Sequence, residues 1–138
     1  MRPSPDVTME WFVRTFLKAS LAWLGAGVTL GVAMAAHPAW GVYRPAHLHM
    51  NLLGFVAMMI FGVAYHVIPR FSGHPLHSAR LARAHVWLAN GGLALLVAGL
   101  TARAHALPVA TPLAALGGTC AAAGAYLFIY NLWRTLDG

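Results

Sequence analysis

Apolar residues fill four long stretches of the chain, separated by short segments that contain proline, charged residues and histidine. The alternation of apolar and polar positions that is typical of strands does not occur. A bilayer core of about 30 Å requires roughly 20 apolar residues per helix, and four segments meet that length, at about 11–36, 45–68, 84–102 and 107–133. The pattern therefore predicts an all-α fold, an integral membrane four-helix bundle in one domain with up-down-up-down topology.

The composition supports this prediction. Hydrophobic residues make up 59% of the 138 residues and charged residues 9%, whereas a soluble domain carries about 25% charged residues. A soluble enzyme and a disordered chain are therefore excluded. The single Cys120 excludes a disulfide within one chain. The net charge of +6 is scattered among apolar segments instead of lining one face, so no nucleic-acid partner is predicted.

The basic residues predict the orientation in the membrane, because Lys and Arg concentrate in cytoplasmic loops. On one predicted side lie Arg2, Arg14, Lys18, Arg70, Arg80, Arg83 and Arg134. The other side holds only Arg44 and Arg103. Both termini are therefore predicted to be cytoplasmic, in a bacterial or archaeal plasma membrane. Residues 14–35 also resemble a cleavable signal peptide, but the apolar stretch is long for one, and we predict a membrane helix.

Small residues recur along the predicted helices, for example in the pairs Gly117 with Ala121 and Cys120 with Gly124. Such pairs allow helices to approach closely. They indicate either close packing inside one bundle or an interface between copies. Because four short helices enclose little space for a large cofactor, a homo-oligomer in the lipid bilayer is expected.

Eight histidines accompany only three acidic residues, and ionisable groups within membrane helices are usually functional. His47 and His66 of the second helix are separated by about 28 Å at roughly 1.5 Å per residue, so one chain cannot use both on one metal. His66 and His85 lie at a similar predicted depth and form one candidate site. His47 forms another candidate site with His37 or His105 from the loops.

Helical periodicity separates the histidines of the second helix by face. His47 shares a face with small, polar and aromatic residues, namely Asn51, Gly54, Met58, Phe61 and Tyr65. His49 instead shares an apolar stripe with Leu52, Leu53, Val56, Ile60 and Val63. His47 is therefore the favoured buried ligand. On the third helix, His85 shares a groove with Ala89, Gly92, Leu96 and Gly99 that is flat enough for a planar ring.

Imidazole suits haem iron, copper and zinc. Haem requires an axial histidine in an apolar slot, and the neighbouring Met50, Met58 and Met59 keep copper as an alternative. The acids Asp6, Glu10 and Asp137 all lie near the termini, so no paired carboxylates are expected within the membrane. Any reaction would have to come from a bound cofactor, and an enzyme acting alone is not expected.

The second predicted helix resembles a helix of a known protein family. RPAHLHMNLLGF (44–55), followed by YHVIPR (65–70), is similar to the second helix of subunit I of the haem–copper oxidase superfamily. The likeness is to the C-family oxidases and the nitric oxide reductase large subunit. AHVWLANGG (84–92) resembles the next helix of those proteins, so the likeness extends over roughly 43–99.

This resemblance implies that a histidine of the second helix is an axial ligand of low-spin haem b. The Arg-Pro-x-His match assigns that role to His47, whereas the His-x-Asn-Leu-Leu match assigns it to His49. The later helices of the family, with the remaining metal ligands, have no counterpart here. The chain is thus expected to be a shortened relative that does not reduce oxygen or nitric oxide by itself, with its second axial ligand from another histidine or another protomer.

The first hypothesis is a haem b protein that transfers electrons or binds NO or O₂. One alternative is an accessory or assembly subunit of a respiratory oxidase or reductase, and another is a copper-handling membrane protein. The candidate cofactor-binding residues are His47, His49, His66, His85, Asn51, Tyr65 and Arg44, and the candidate metal ligands among them are His47, His66 and His85.

Overall fold

The computed structural model of the protein describes residues 9–138, and every regular element in this range is helical. In chain order the elements are α1 (Trp11–Ala36), a 3-10 segment (Pro38–Tyr43), α2 (Arg44–His49), a π-helical segment (Met50–Ala57), α3 (Met58–Ser72), α4 (Ala79–Ala104) and α5 (Ala110–Asp137). Arg2 and Asp6 lie outside the described residues.

Four helical stretches within residues 9–138 are long and apolar enough to cross a membrane, which confirms the predicted all-α membrane architecture. These stretches are Trp11–Ala36, Pro38–Ser72, Ala79–Ala104 and Ala110–Asp137. The composite stretch Pro38–Ser72 is called the second span below. Several helices end a few residues away from the apolar segments predicted from the sequence, because a helix can continue from the apolar core into the interface.

The short connection between the second span and α4 is held by polar side chains. Gly73 ends α3 in a left-handed conformation with φ 72°, and the Ser78 hydroxyl caps α4 by accepting from the Leu81 N–H at 3.2 Å. Asn131 of α5 accepts from the Ser78 N–H at 2.9 Å and donates to the Ser78 carbonyl at 2.8 Å. A buried amide therefore fixes the start of α4 against α5.

Helices α4 and α5 pack backbone against backbone through glycines. A Cβ on Gly92 would lie 2.6 Å from the backbone nitrogen of Ala121. A Cβ on Gly117 would fall on the backbone of Leu96 and within 2.6 Å of the Gly92 carbonyl. For Gly117 and Ala121, the structure thus favours close packing inside one bundle over an interface between copies.

The large buried side chains concentrate in the half of the bundle next to the connection at residues 73–78, which we call the His85 half. They include Phe12, Val13, Phe16, Met58, Tyr65, Val86 and Leu132. In the opposite half, called the His47 half, glycines of α1 face the second span, and Gly27 and Gly31 adjoin Asn51 and His47. The His85 half therefore has an aromatic core, whereas in the His47 half a histidine ring packs against the backbone of α1.

Candidate cofactor site

His47 is held by a backbone carbonyl of the neighbouring helix. Its Nδ1 lies 2.8 Å from the carbonyl oxygen of Gly27 in α1. A carbonyl oxygen only accepts hydrogen bonds, so Nδ1 is the donor, and Nε2 of the neutral ring then has the lone pair. Metal-binding histidines commonly show this arrangement, because a carbonyl on one ring nitrogen fixes the tautomer and orients the other nitrogen. The half-buried His47 ring is therefore held with Nε2 as its available ligand atom.

Two glycines of α1 make room for this arrangement. A Cβ on Gly31 would lie 2.9 Å from Cε1 of His47, and a Cβ on Gly27 would lie 2.6 Å from the amide nitrogen of Asn51. That amide donates to the His47 carbonyl at 2.8 Å, so Asn51 bonds to the backbone of His47 while Gly27 bonds to its ring. The predicted candidates His47 and Asn51 therefore form one small polar unit against α1.

The burial of the second span confirms the two faces predicted from helical periodicity. On the His47 face, Gly54, Met58 and Tyr65 are buried. The His49 stripe is exposed at Leu52, Leu53, Val56, Ile60 and Val63. His49 itself is half-buried, and its Nδ1 donates to the Pro45 carbonyl of its own helix at 2.8 Å. Its Nε2 is also left as an acceptor, but toward the outer face of the bundle.

His85 occupies a closed aromatic cage in the His85 half. The side chain is 0% exposed, and Nδ1 lies 3.0 Å from the Tyr65 hydroxyl. Three phenylalanine rings surround it with centroid distances of 4.5 Å for Phe61, 4.8 Å for Phe16 and 5.6 Å for Phe128. Its Nε2 is buried and has no hydrogen-bond partner among residues 9–138.

The groove predicted beside His85 is filled by protein. A Cβ on Gly99 would fall on the Ala114 backbone, and Gly92 meets Ala121 in the same way. Helix α5 therefore lies in the groove that was expected to receive a planar ring. That expectation was wrong because periodicity identifies residues that share a face but not the neighbour that covers the face.

The other predicted histidine pairs are not brought together by the contacts of residues 9–138. The carbonyl of His66 accepts from the Arg70 guanidinium, while the rings around His85 are those of tyrosine and phenylalanine. His37 packs against Trp40 at 5.5 Å, and the Nε2 of His105 lies 2.8 Å from the Tyr43 hydroxyl. Within the described range, no three His, Cys, Asp or Glu side chains are grouped so that they could hold a metal.

An apolar cavity of about 270 Å³ lies between the second span, α4 and α5. Its lining includes Leu53, Met58, Phe61, Leu93 and Ala121, and none of the candidate histidines. Ligand pockets commonly measure about 300–1,000 Å³, so this space is small for a cofactor of porphyrin size. The cavity and His47 are therefore separate features of the bundle.

Three residues that shape the surroundings of the two histidines and the start of α4 were not predicted from the sequence. Gly31 makes room for the His47 ring, Phe128 closes the cage of His85, and Asn131 fixes the start of α4. A signal was present for Asn131, because an amide in a membrane helix needs a hydrogen-bond partner. Gly27 and Gly31 also recur one helical turn apart, which is typical of a close helix contact.

Comparison with known proteins agrees with this architecture. A family model described as "Cytochrome C and Quinol oxidase polypeptide I" matches residues 11–136. The cbb3-type cytochrome c oxidase subunit CcoN1 of Stutzerimonas stutzeri is 31% identical over 152 aligned positions, which cover 88% of this chain and 32% of the relative. Cytochrome c oxidase subunit 1 of Rhodobacter capsulatus is 29% identical and covers 65% of this chain and 22% of the relative.

The chain spans about a third or less of the length of these curated relatives. The match nevertheless extends across all four membrane helices, because it begins where α1 begins and ends one residue before the end of α5. The resemblance deduced from the second and third helices is therefore confirmed. The chain is a multi-pass membrane protein that belongs to the family of cytochrome c and quinol oxidase polypeptide I, the subunit I of haem–copper oxidases.

Proposed function

We propose that this chain is a haem b-binding membrane protein in which Nε2 of His47 is an axial ligand. The observation that carries the proposal is the hydrogen bond from Nδ1 of His47 to the Gly27 carbonyl. It fixes the tautomer in which Nε2 has a free lone pair. Membership of the haem–copper oxidase family supports a haem cofactor in general, and the described residues assemble no group of three or more His, Cys, Asp or Glu side chains for copper handling.

Haem supplies one-electron chemistry or binds a small gas such as NO or O₂, depending on whether its sixth position is filled. The protein's own part is to hold and orient the ligand. Gly27 keeps the His47 ring in one orientation, Gly31 gives it space, and Asn51 secures the backbone behind it. Electron transfer or gas binding, and not complete oxygen reduction, is the activity that these residues support.

The proposal also includes the placement of the chain in the membrane. A cytoplasmic location of the His85 half is supported by the positive-inside rule, because this half carries the basic residues Arg14, Lys18, Arg70, Arg80, Arg83 and Arg134. The His47 half then faces the outer side of a bacterial plasma membrane. The four spans would run up, down, up and down, with both termini inside.

An absorption spectrum of the purified chain tests the proposal. Full-length protein from haem-supplemented cells should show a Soret band and a reduced α band, and His47→Ala should lose most of the bound haem. His49→Ala and His66→Ala serve as matched controls. The first removes an imidazole from the other face of the same span, and the second removes one from its other end. Both variants should keep the haem. A colourless wild-type protein would exclude the proposal. Loss of haem in His49→Ala, with His47→Ala unaffected, would move the ligand to His49.

The second candidate is an accessory or assembly subunit of a respiratory oxidase or reductase. It is supported by the match of residues 11–136 to the subunit I family, because the matched helices would then be a packing surface within such a complex. In this role the chain would pack against the large subunit, and its histidines would bind nothing. Co-purification with a large oxidase or reductase subunit, in a complex where His47→Ala changes neither assembly nor haem content, would select this candidate.

A further inference from the structure

Among the described residues, no second imidazole is a hydrogen-bonding partner of His47. His85 is closed inside its aromatic cage in the opposite half of the bundle. His66 lies about 28 Å along the same span at roughly 1.5 Å per residue. His37 and His105 are engaged with Trp40 and Tyr43. Among residues 9–138, the hydrogen-bonding partners of the His47 ring are the Gly27 carbonyl and the Asn51 amide.

The apolar cavity between the second span, α4 and α5 is not a slot for a porphyrin held by His47. The apolar cavity of about 270 Å³ includes no histidine, and His47 is half-buried at the edge between two helices. At the same depth both helices expose apolar side chains, which are Val28, Val32, Leu48 and Leu52. A planar apolar ring held by His47 would therefore lie on the outside of the bundle, with its second face uncovered.

Arg44 adds a charge to this surface. It is exposed and lies one helical turn before His47. The acids of the described range, Glu10 and Asp137, stand at the start of α1 and the end of α5, in the opposite half of the bundle. Among the acids of residues 9–138, Arg44 thus has no carboxylate nearby, whereas haem carries two propionates that an arginine binds well.

We propose that a second copy of this chain covers the surface and contributes its own His47, so that one haem is held between two copies. A two-fold axis brings the same residue from each copy to opposite faces of the ring, because the two surfaces of such an interface are identical. The two Arg44 side chains, which would otherwise repel each other, would bind the propionates of such a haem. This inference rests on the proposed function, and it adds the source of the second axial ligand.

The test measures stoichiometry and coordination in the full-length chain. Haem per chain is determined by the pyridine haemochrome method, and the mass of the complex by light scattering in detergent. About one haem per two chains, in a dimer with the low-spin spectrum of two histidine ligands, is expected. Low-spin haem at one per chain in a monomer would overturn the inference and leave the proposed function standing, whereas absence of haem would overturn both.

A mixed dimer tests the contribution of the second copy directly. Wild-type and His47→Ala chains with different affinity tags are co-expressed, and the mixed dimers are isolated through both tags. Their haem should become five-coordinate, high-spin and able to bind CO. A mixed dimer of wild type with His66→Ala is the control and should stay low-spin. A low-spin spectrum in the His47→Ala mixed dimer would overturn the inference.

Because a substituted copy could misfold, a second measurement restores the ligand. His47→Gly is prepared in the mixed dimer, and free imidazole is titrated into it. Recovery of the low-spin spectrum shows that the copy is folded and that the missing group is the imidazole. A correctly assembled dimer that stays high-spin, or was low-spin before imidazole was added, contradicts the assignment.

Discussion

The Tyr65 hydroxyl lies 3.0 Å from Nδ1 of His85, inside a part of the bundle that neither water nor lipid reaches. The two residues belong to the second span and to α4, so this hydrogen bond joins the first two membrane helices to the last two. Phenylalanine rings from α1, the second span and α5 surround the pair. A hydrogen bond surrounded by phenylalanine rings therefore determines how the helices pack together in the His85 half.

Replacing Tyr65 by Phe should destabilise the protein while preserving its ring packing. The aromatic contacts with Phe12 at 5.7 Å and Phe128 at 5.3 Å would remain, but both nitrogens of His85 would then lack a partner. An unsatisfied buried polar group costs about 1–3 kcal/mol. Unfolding in detergent should show that loss for Tyr65→Phe. It should be absent for Tyr130→Phe, whose side chain is 51% exposed.

The glycines of α5 give a matched pair one residue apart. Gly117→Ala places a methyl group on the backbone of α4, whereas Gly118→Ala has no atom within 4 Å of the new carbon. Overpacking a tight contact costs about 1–3 kcal/mol. We expect a clear fall in the melting temperature for Gly117→Ala and little change for Gly118→Ala. Equal melting temperatures would contradict the backbone contact between α4 and α5.

Asn131→Ala should loosen the connection between the second span and α4. The buried amide bonds both the N–H and the carbonyl of Ser78, and its removal leaves both backbone groups without that partner at a cost of about 1–3 kcal/mol. Limited proteolysis should then cut within residues 73–78 faster. Asn90→Ala is the control, since the Asn90 amide donates only to the Val86 carbonyl of its own helix. Equal cutting rates in the two variants would argue against the role of Asn131.

Gly31→Ala should disturb haem binding more than folding. The added carbon would lie 2.9 Å from Cε1 of His47, so the ring must move and the hydrogen bond to Gly27 must lengthen. We expect a lower haem content or a shifted reduction potential with a nearly unchanged melting temperature. Gly25→Ala, on the open side of the same helix with no atom within 4 Å, should leave all three quantities as in the wild type.

The proposed membrane orientation can be checked with fused reporters. A reporter active in the cytoplasm should work when inserted after Gly73 or fused to the C-terminus. One active outside the membrane should work when inserted after Ala106, in the connection between α4 and α5. The reverse pattern would place the His47 half on the cytoplasmic side and contradict the positive-inside argument.

The sequence was sufficient to predict the helical architecture. It was also sufficient to predict which face of the second span is buried and which is exposed. Four apolar stretches predict four membrane helices, because a bilayer fixes the length of a span. The buried Gly54, Met58 and Tyr65 and the exposed stripe beside His49 follow from helical periodicity alone. Both predictions depend only on residues close together in the chain.

The partners of the histidines could not be predicted in this way. The carbonyl bonded to His47 comes from α1, and the cage of His85 takes a ring from α5. Such contacts depend on the register between helices, which periodicity within one helix does not determine. The same limit explains why the groove of Gly92 and Gly99 was expected to be open, whereas α5 fills it.

The π-helical segment Met50–Ala57 sits between the histidine end and the aromatic end of the second span. A π-turn holds more residues than an α-turn, because each N–H bonds to the carbonyl five residues earlier. Deleting one residue here would let the segment return to α-helical geometry without rotating one end of the span against the other. A deletion in the α-helical parts of the span, between His47 and Tyr65, would instead rotate one end against the other by about 100°. Natural length variation in relatives should therefore fall in the π-helical segment or in the connection at residues 73–78, and spare the α-helical parts of the span.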